Sequence, residues 1–406
     1  MSAKSPESQI YDTERHEVLD AEAWSAERVR SAIARIVEDF ESALRPDGSW
    51  PAHPLDFPDP KPAWSAYAGA AGAVCALRVL RDSGYAVSDP SWLLDRIHAA
   101  YLERPDYGYG SGLQLGEIGI LTPAVLADPD DPKRADRLHD AMLRTIGHPA
   151  REITSGETGM LHAALTLFRE TGDERWSELY RRGAESLWQA WSLREGTGEW
   201  LWMNDIFGQV RSYYGACHGI AGNAQALLRG ADLLPAGRSE EVVERTATTL
   251  ASGALRSDAG ISWPVSADAS GHRRLLQWCH GAPGVVAALA HPSRIDTPAS
   301  AQFDDLLEAA GELVWTAGPL VKGSGLCHGT AGNGYAFLGL HARMHETRWL
   351  DRARLFAMHA IAQCDRARER YGQGRYTLWT GDGGLAVYLH HCIRPRSTAF
   401  PGLELF

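Results

Sequence analysis

The pair Gly-x-x-Gly, followed each time by a short apolar run, recurs seven times along this chain. The pairs are Gly69/Gly72, Gly116/Gly119, Gly156/Gly159, Gly219/Gly222, Gly281/Gly284, Gly329/Gly332 and Gly381/Gly384, spaced by 47, 40, 63, 62, 48 and 52 residues. Glycine accounts for 41 of 406 residues, so one pair means little. Seven pairs, each opening a helical pattern, mark an internal repeat. The runs that follow, such as AVCALRVL, MLHAALTLF and NGYAFLGLHARM, are apolar nearly all round, as helices covered on most sides are.

Between them lie seven segments with charged faces and apolar stripes at three- and four-residue spacing: 21–45, 86–102, 134–148, 173–193, 238–255, 303–317 and 346–366. β-branched runs of period two are scarce. The pattern predicts an all-α fold in which seven apolar helices form an inner ring and seven amphipathic ones an outer ring. The glycines then let backbones approach closely and leave helix N-termini facing a central cavity. An open helical solenoid is the competing arrangement, but solenoids keep tighter repeat lengths than these. No Pro/Gly/Ser-rich linker divides the chain, and the Pro-rich stretch 50–63 reads as an extended loop. Residues 1–20 are expected to form a flexible lead-in and 21–406 a single domain.

Composition narrows the function. Hydrophobic residues at 44% and charged residues at 22% are ordinary for a globular chain. A formal charge of -11 without a Lys/Arg-rich run argues against nucleic-acid binding. No stretch of about 18 apolar residues predicts a membrane span. The polar N-terminus has no apolar core of a secretory signal, so the cytoplasm is the expected compartment. Six cysteines are too sparse for a disulfide framework and suit metal binding or catalysis better.

Three of the glycine pairs are preceded by the same dipeptide: Cys217-His218-Gly219, Cys279-His280-Gly281 and Cys327-His328-Gly329. Composition alone predicts about 0.02 such triplets. A duplicated turn whose Cys and His side chains simply pack is one explanation. The other is a metal site, with thiolates and imidazoles from successive repeats converging on one cavity; such soft ligands select zinc. Zinc-finger spacing is absent. Three protein ligands with one open position would mark a catalytic site. A Cys-His nucleophilic pair fits poorly, because adjacent residues do not easily hydrogen-bond as one and nothing explains its threefold occurrence.

WCHGAPG at 278–284, LCHGTAGNGYAFL at 326–338 and GACHGIAG at 215–222, with TLWTGDGGLAVYL at 377–389 and the terminal AFPGLELF, resemble the hallmark motifs of lanthionine synthetase C-like proteins. Within that family they are most similar to the eukaryotic-type, glutathione-binding branch. The resemblance implies an α/α toroid around a central zinc ion held by Cys279, Cys327 and His328. It implies that His218 is the catalytic acid/base and that Cys217 and His280 are not ligands. Glu152, four residues before Gly156, matches an acidic position that is Asp in bacterial cyclases and Glu in the eukaryotic-type branch. Lys322 matches that branch's thiol-substrate contact, and Arg375 stands near an expected arginine, although the intervening segment is shorter here.

The implied reaction is addition of a Cys or glutathione thiol to dehydroalanine or dehydrobutyrine in a peptide or protein. The implied partners are that dehydrated substrate, glutathione, and a separate dehydratase or kinase, since neither domain is fused to this chain. A zinc- and glutathione-binding scaffold without turnover is the alternative from another class. Other α/α-barrel enzymes fit less well: glycosidases need paired rim carboxylates, and none stands out.

Overall fold

The second glycine of every pair lies beneath the carbonyl oxygen of the residue six positions earlier. A Cβ at any of the seven would stand 1.7–2.2 Å from that oxygen, a distance no side chain tolerates. The same Cβ would also press on the corresponding loop of the preceding repeat. Gly119 faces Ala66, Gly159 faces Leu113, Gly222 faces Ile153, Gly284 faces Ala216, Gly332 faces Trp278, Gly384 faces Leu326, and Gly72 faces Leu378 from the last repeat. The glycines therefore do two jobs: they fold each loop tightly onto its own helix and let seven loops close into a circle.

The computed structural model describes residues 10–20, 22–57, 61–108, 110–268, 274–290, 295–395 and 399–406. Its outer helices are α1 (Ala26–Ala43), α3 (Leu94–Glu103), α5 (Pro132–Leu143), α7 (Glu174–Gln189), α9 (Arg238–Gly253), α11 (Ser300–Ala317) and α13 (Thr347–Tyr371). The inner helices are α2 (Ala70–Asp82), α4 (Ile118–Ala127), α6 (Glu157–Thr171), α8 (Ile220–Arg229), α10 (Ala282–Leu289), α12 (Thr330–Met344) and α14 (Asp382–Ile393). Each inner helix packs on the next, and α14 packs on α2. The toroid is thus closed rather than a solenoid. Helix α3 begins later than its amphipathic pattern, because Pro90 caps a 3-10 turn at Ser91–Leu93. Among the described residues, no helix is long and apolar enough to cross a membrane.

The two longest repeats hold what the sequence did not announce. Between α7 and α8 lie two hairpins, β1 (Ser192–Arg194) with β2 (Glu199–Leu201) and β3 (Asn204–Ile206) with β4 (Gln209–Arg211). Between α9 and α10 lies a third, β5 (Leu255–Ser257) with β6 (Gly260–Ser262). All are antiparallel and three residues deep.

Two chain segments fasten the ring. In the expected lead-in, residues 15–17 bond to the loop after α11: the Glu17 N–H donates to Pro319 and the Val321 N–H to Arg15. Glu17 also reaches His359 on α13 at 2.8 Å. Residues 1–9 of that lead-in lie outside the described residues. Segment 399–406 enters the ring, where the Phe400 ring lies 4.9 Å from Trp278 and 5.5 Å from Trp379. Glu404 pairs with Arg229 on α8 at 2.6 Å.

Candidate metal centre and its histidine–glutamate neighbour

The position two residues before each first glycine forms the rim of the cavity. Its occupants, in chain order, are Tyr67, Gln114, Thr154, Cys217, Cys279, Cys327 and Trp379. Backbone hydrogen bonds join adjacent loops there: Tyr67 to Gln114 at 2.9 Å, Gln114 to Thr154 at 3.0 Å, Ile153 to Cys217 at 3.1 Å, Cys279 to Cys327 at 3.1 Å, Cys327 to Trp379 at 2.8 Å and Trp379 to Tyr67 at 3.3 Å. The seventh junction is a close approach of Gly215 to the Cys279 carbonyl, so residues hundreds of positions apart are brought together by main chain.

Cys279, Cys327 and His328 bring two sulfurs and an imidazole nitrogen within 4.8 Å of one another. Both cysteines are buried and His328 is half-buried. The two sulfurs hydrogen-bond to each other, and this bond pushes the Cys279 thiol well above its usual value while drawing Cys327 well below. The positive end of His328 and the hydroxyl of Tyr67 also favour a Cys327 thiolate. Gln277 donates to the Cys279 sulfur at 2.9 Å and accepts from Arg15 at 3.2 Å. The cluster is thus a negatively biased, soft donor set supported by outer hydrogen bonds. Tetrahedral zinc with ligands at about 2.0–2.3 Å sets donors roughly 3.3–3.8 Å apart, a spacing this set accommodates.

A second cluster, Glu152, Cys217 and His218, meets the same spacing but differs in chemistry. Glu152 is fully buried, and both its oxygens are occupied. Oε1 accepts from the Ser155 N–H at 2.7 Å and the Thr154 hydroxyl, and Oε2 accepts from the Thr154 N–H at 2.7 Å and from His218 Nδ1 at 2.9 Å. Burial alone would raise this carboxyl, but the His218 bond and charge and the Thr154 donors outweigh it, and its pKa is lowered. The result is an ionised carboxylate committed to orienting an imidazole. Cys217, 2% exposed, is held protonated by burial and by the charges of Cys327 and Glu152. The two clusters adjoin, since Cys217 lies within electrostatic reach of both Cys327 and Cys279.

The remaining predicted residues separate. Lys322 stands on the rim within electrostatic reach of Cys279 and Cys327; partial burial lowers its pKa and the two sulfurs oppose that. Arg375 lies within electrostatic reach of Lys322 and is itself paired. Its guanidinium grips Asp56 of the Pro-rich loop through both carboxylate oxygens, the Nε contact being 2.8 Å. Cys217 and His280 stand outside the two-sulfur, one-imidazole group. Sequence reasoning missed Tyr67, Gln277 and Thr154, although Tyr67 and Thr154 occupy the repeat position of the three cysteines.

A family model for "Lanthionine synthetase C-like protein" matches residues 14–405. The protein from Danio rerio named "Glutathione S-transferase LANCL1" is 31% identical over 193 residues, 48% of this chain and 46% of that one. "LanC-like protein GCL1" from Arabidopsis thaliana is 32% identical over 197 residues, 48% of this chain and 43% of that one. The matched region therefore spans under half the length of either relative. The solved structure of nisin cyclase superposes with a TM-score of 0.61 at 15% identity, covering 90% of this chain and 94% of that one, which shows a shared fold. With a match running nearly end to end, a closed α/α ring and Cys-His-Gly loops gathered at one mouth, this chain belongs to the lanthionine synthetase C-like family.

Proposed function

We propose that this chain catalyses addition of a thiol to dehydroalanine or dehydrobutyrine in a peptide or protein, forming a thioether. The observation that carries the reading is the juxtaposition of a two-sulfur, one-imidazole cluster with a separate histidine–glutamate pair. Cys279, Cys327 and His328 would hold a zinc ion, which when bound would supply a positive charge that acidifies an incoming thiol.

The chain's own residues do the rest. Gln277 and Tyr67 donate to the two sulfurs and fix them. Lys322 draws an anionic thiol substrate to the rim. Glu152 holds Nδ1 of His218, leaving Nε2 as the nitrogen that handles the proton. As the C–S bond forms at the β-carbon, the π electrons move to the α-carbon and carbonyl. His218 protonates that α-carbon, and the proton released by the thiol restores the imidazolium. Nothing leaves, so the step is a balanced addition. A general acid in this role is worth about 10²–10⁴-fold in rate. Arg375 pairs with Asp56 of the Pro-rich loop, and its charge reaches Lys322.

Glutathione is favoured as the thiol because the animal relative is named a glutathione S-transferase. Intramolecular cyclisation is the second reading of the same chemistry. A scaffold without turnover leaves the His218–Glu152 pair without a purpose. The test is to incubate the zinc-loaded protein with a dehydroalanine peptide, with and without glutathione, and read products by mass spectrometry. The expected product gains one glutathione and appears only when glutathione is present. An adduct rate no higher than the uncatalysed background contradicts the proposal.

A further inference from the structure

The inner helices turn their N-termini toward the metal centre, so their C-terminal ends meet on the opposite side of the ring. A cavity of about 930 Å³ opens there, walled by the C-terminal parts of α2, α4, α6 and α14 through residues such as Val79, Leu126, Thr166 and Ile393. That volume suits a small molecule. Neither cysteine–histidine cluster contributes to the wall. Segment 399–406 spans the distance between them: Phe400 lies against Trp278 and Trp379, whereas Leu405 and Phe406 line the cavity.

The wall holds polar groups whose bonding the fold leaves incomplete. Arg78 on α2 is 6% exposed, its guanidinium donates to Ser91, and its Nε has no partner. The carboxylates whose charge reaches it, Asp82 and Asp89, both pair with Arg81 instead. A buried guanidinium without its own carboxylate is unfavourable, and burial lowers its pKa. Arg394, just past α14, lines the same cavity and makes no ion pair among the described residues. His390 and His391 share this wall. Each has Nδ1 at a tyrosine hydroxyl, Tyr85 at 3.3 Å and Tyr335 at 2.9 Å. Burial lowers both pKa values, that of His391 to about 3, so the rings are neutral. With the hydroxyls donating to Nδ1, each Nε2 carries a hydrogen.

Negative charge also borders the cavity, but elsewhere or more weakly. Glu404 is paired with Arg229 at 2.6 Å, and the exposed Glu170 sits near the end of α6. The ends of α2 and α14 carry about half a negative charge each, which two full guanidinium charges outweigh. We propose that this cavity binds a small organic anion. Its acid group meets Arg78 and Arg394 at the α2–α14 corner, and its apolar body lies over Val79, Leu126 and Ile393. A bare inorganic anion would leave most of the cavity unfilled.

The probes are anilinonaphthalene sulfonate and phenylnaphthylamine, the same ring system with and without the acid, titrated by fluorescence into the zinc-loaded protein. The sulfonate should bind the parent protein about tenfold more tightly than the amine. Arg394→Gln and Arg78→Met should each raise the sulfonate Kd on the order of tenfold and leave the amine Kd within about twofold. Arg394 is exposed, so its variant decides the matter should Arg78→Met fail to fold. Lys322→Gln, which removes a cation at the metal rim, should change neither value. Decanoate and decyl phosphate should displace the sulfonate, the tighter of the two naming the acid group.

Absence of sulfonate binding to the parent protein overturns the proposal. So does binding that neither arginine variant moves, or that Lys322→Gln weakens instead. An equal loss for both probes also overturns it, because the arginines would then support the wall rather than hold an acid. Failure of both decyl acids to displace the sulfonate has the same consequence. None of these outcomes depends on the thioether reading.

Discussion

Two clusters built from the same repeat unit stand side by side at the mouth of this ring, and their difference lies in their neighbours. Cys217-His218 and Cys327-His328 occupy equivalent turns. Beside Cys327 the adjoining loop supplies a second sulfur, Cys279, and Gln277 and Tyr67 stabilise charge on the pair. Beside His218 the adjoining loop supplies Glu152, whose oxygens are already committed to Thr154, Ser155 and His218. One neighbourhood offers unsaturated soft donors suited to a cation; the other offers an oriented imidazole. Duplication provided equal parts, and ring closure gave them different neighbours.

The sharpest way to break this comparison is to remove a sulfur from the two-sulfur cluster. Cys279→Ala or Cys327→Ala should weaken zinc binding on the order of 10³-fold or more in a chelator competition, because each deletes one of three ligands. Retained zinc in either variant would merge the clusters. The next effect in size belongs to His218→Ala, which should keep its zinc and lose about 10²–10⁴-fold in turnover. A loss of metal there would make His218 a ligand.

Glu152→Gln should cost about 10–100-fold in turnover with zinc retained, as an orienting partner does. It has a second signature in stability. Because the folded carboxyl is lowered from 4.5, its contribution is present above that pH and fades as the pH falls through the lower folded value. The stability gap between parent and variant should therefore be widest above about 4.5 and close on acidification, followed by denaturant melts at several pH values. Cys217→Ala should have the smallest effect: zinc retained, turnover near the parent value, and stability lower by about 1 kcal/mol for a shortened buried side chain.

What was legible in the sequence was whatever chemistry forces locally. Only glycine fits under the carbonyls of Ala66 or Trp278, so the sevenfold pattern, and with it the closed ring, could be read from spacing. Cys279, Cys327 and His328 stood out because thiol and imidazole are rare and recurred in register. Tyr67 and Gln277 were not legible, since their roles arise only when the first repeat meets the last two and Arg15 reaches Gln277. The hairpins were hidden because three-residue strands such as Asn204–Ile206 show no alternation to detect. Arg375 looked available in sequence and is paired with Asp56, a partner some 300 residues away that spacing does not reveal.

X-ray absorption at the zinc edge of the metal-loaded protein reads the proposed two-sulfur ligand set directly. One zinc per chain is expected, with two sulfur scatterers at about 2.3 Å and nitrogen or oxygen scatterers at about 2.0–2.1 Å, unchanged by Cys217→Ala. A third sulfur in the shell, a shell that changes when Cys217 is removed, or no bound zinc would contradict it.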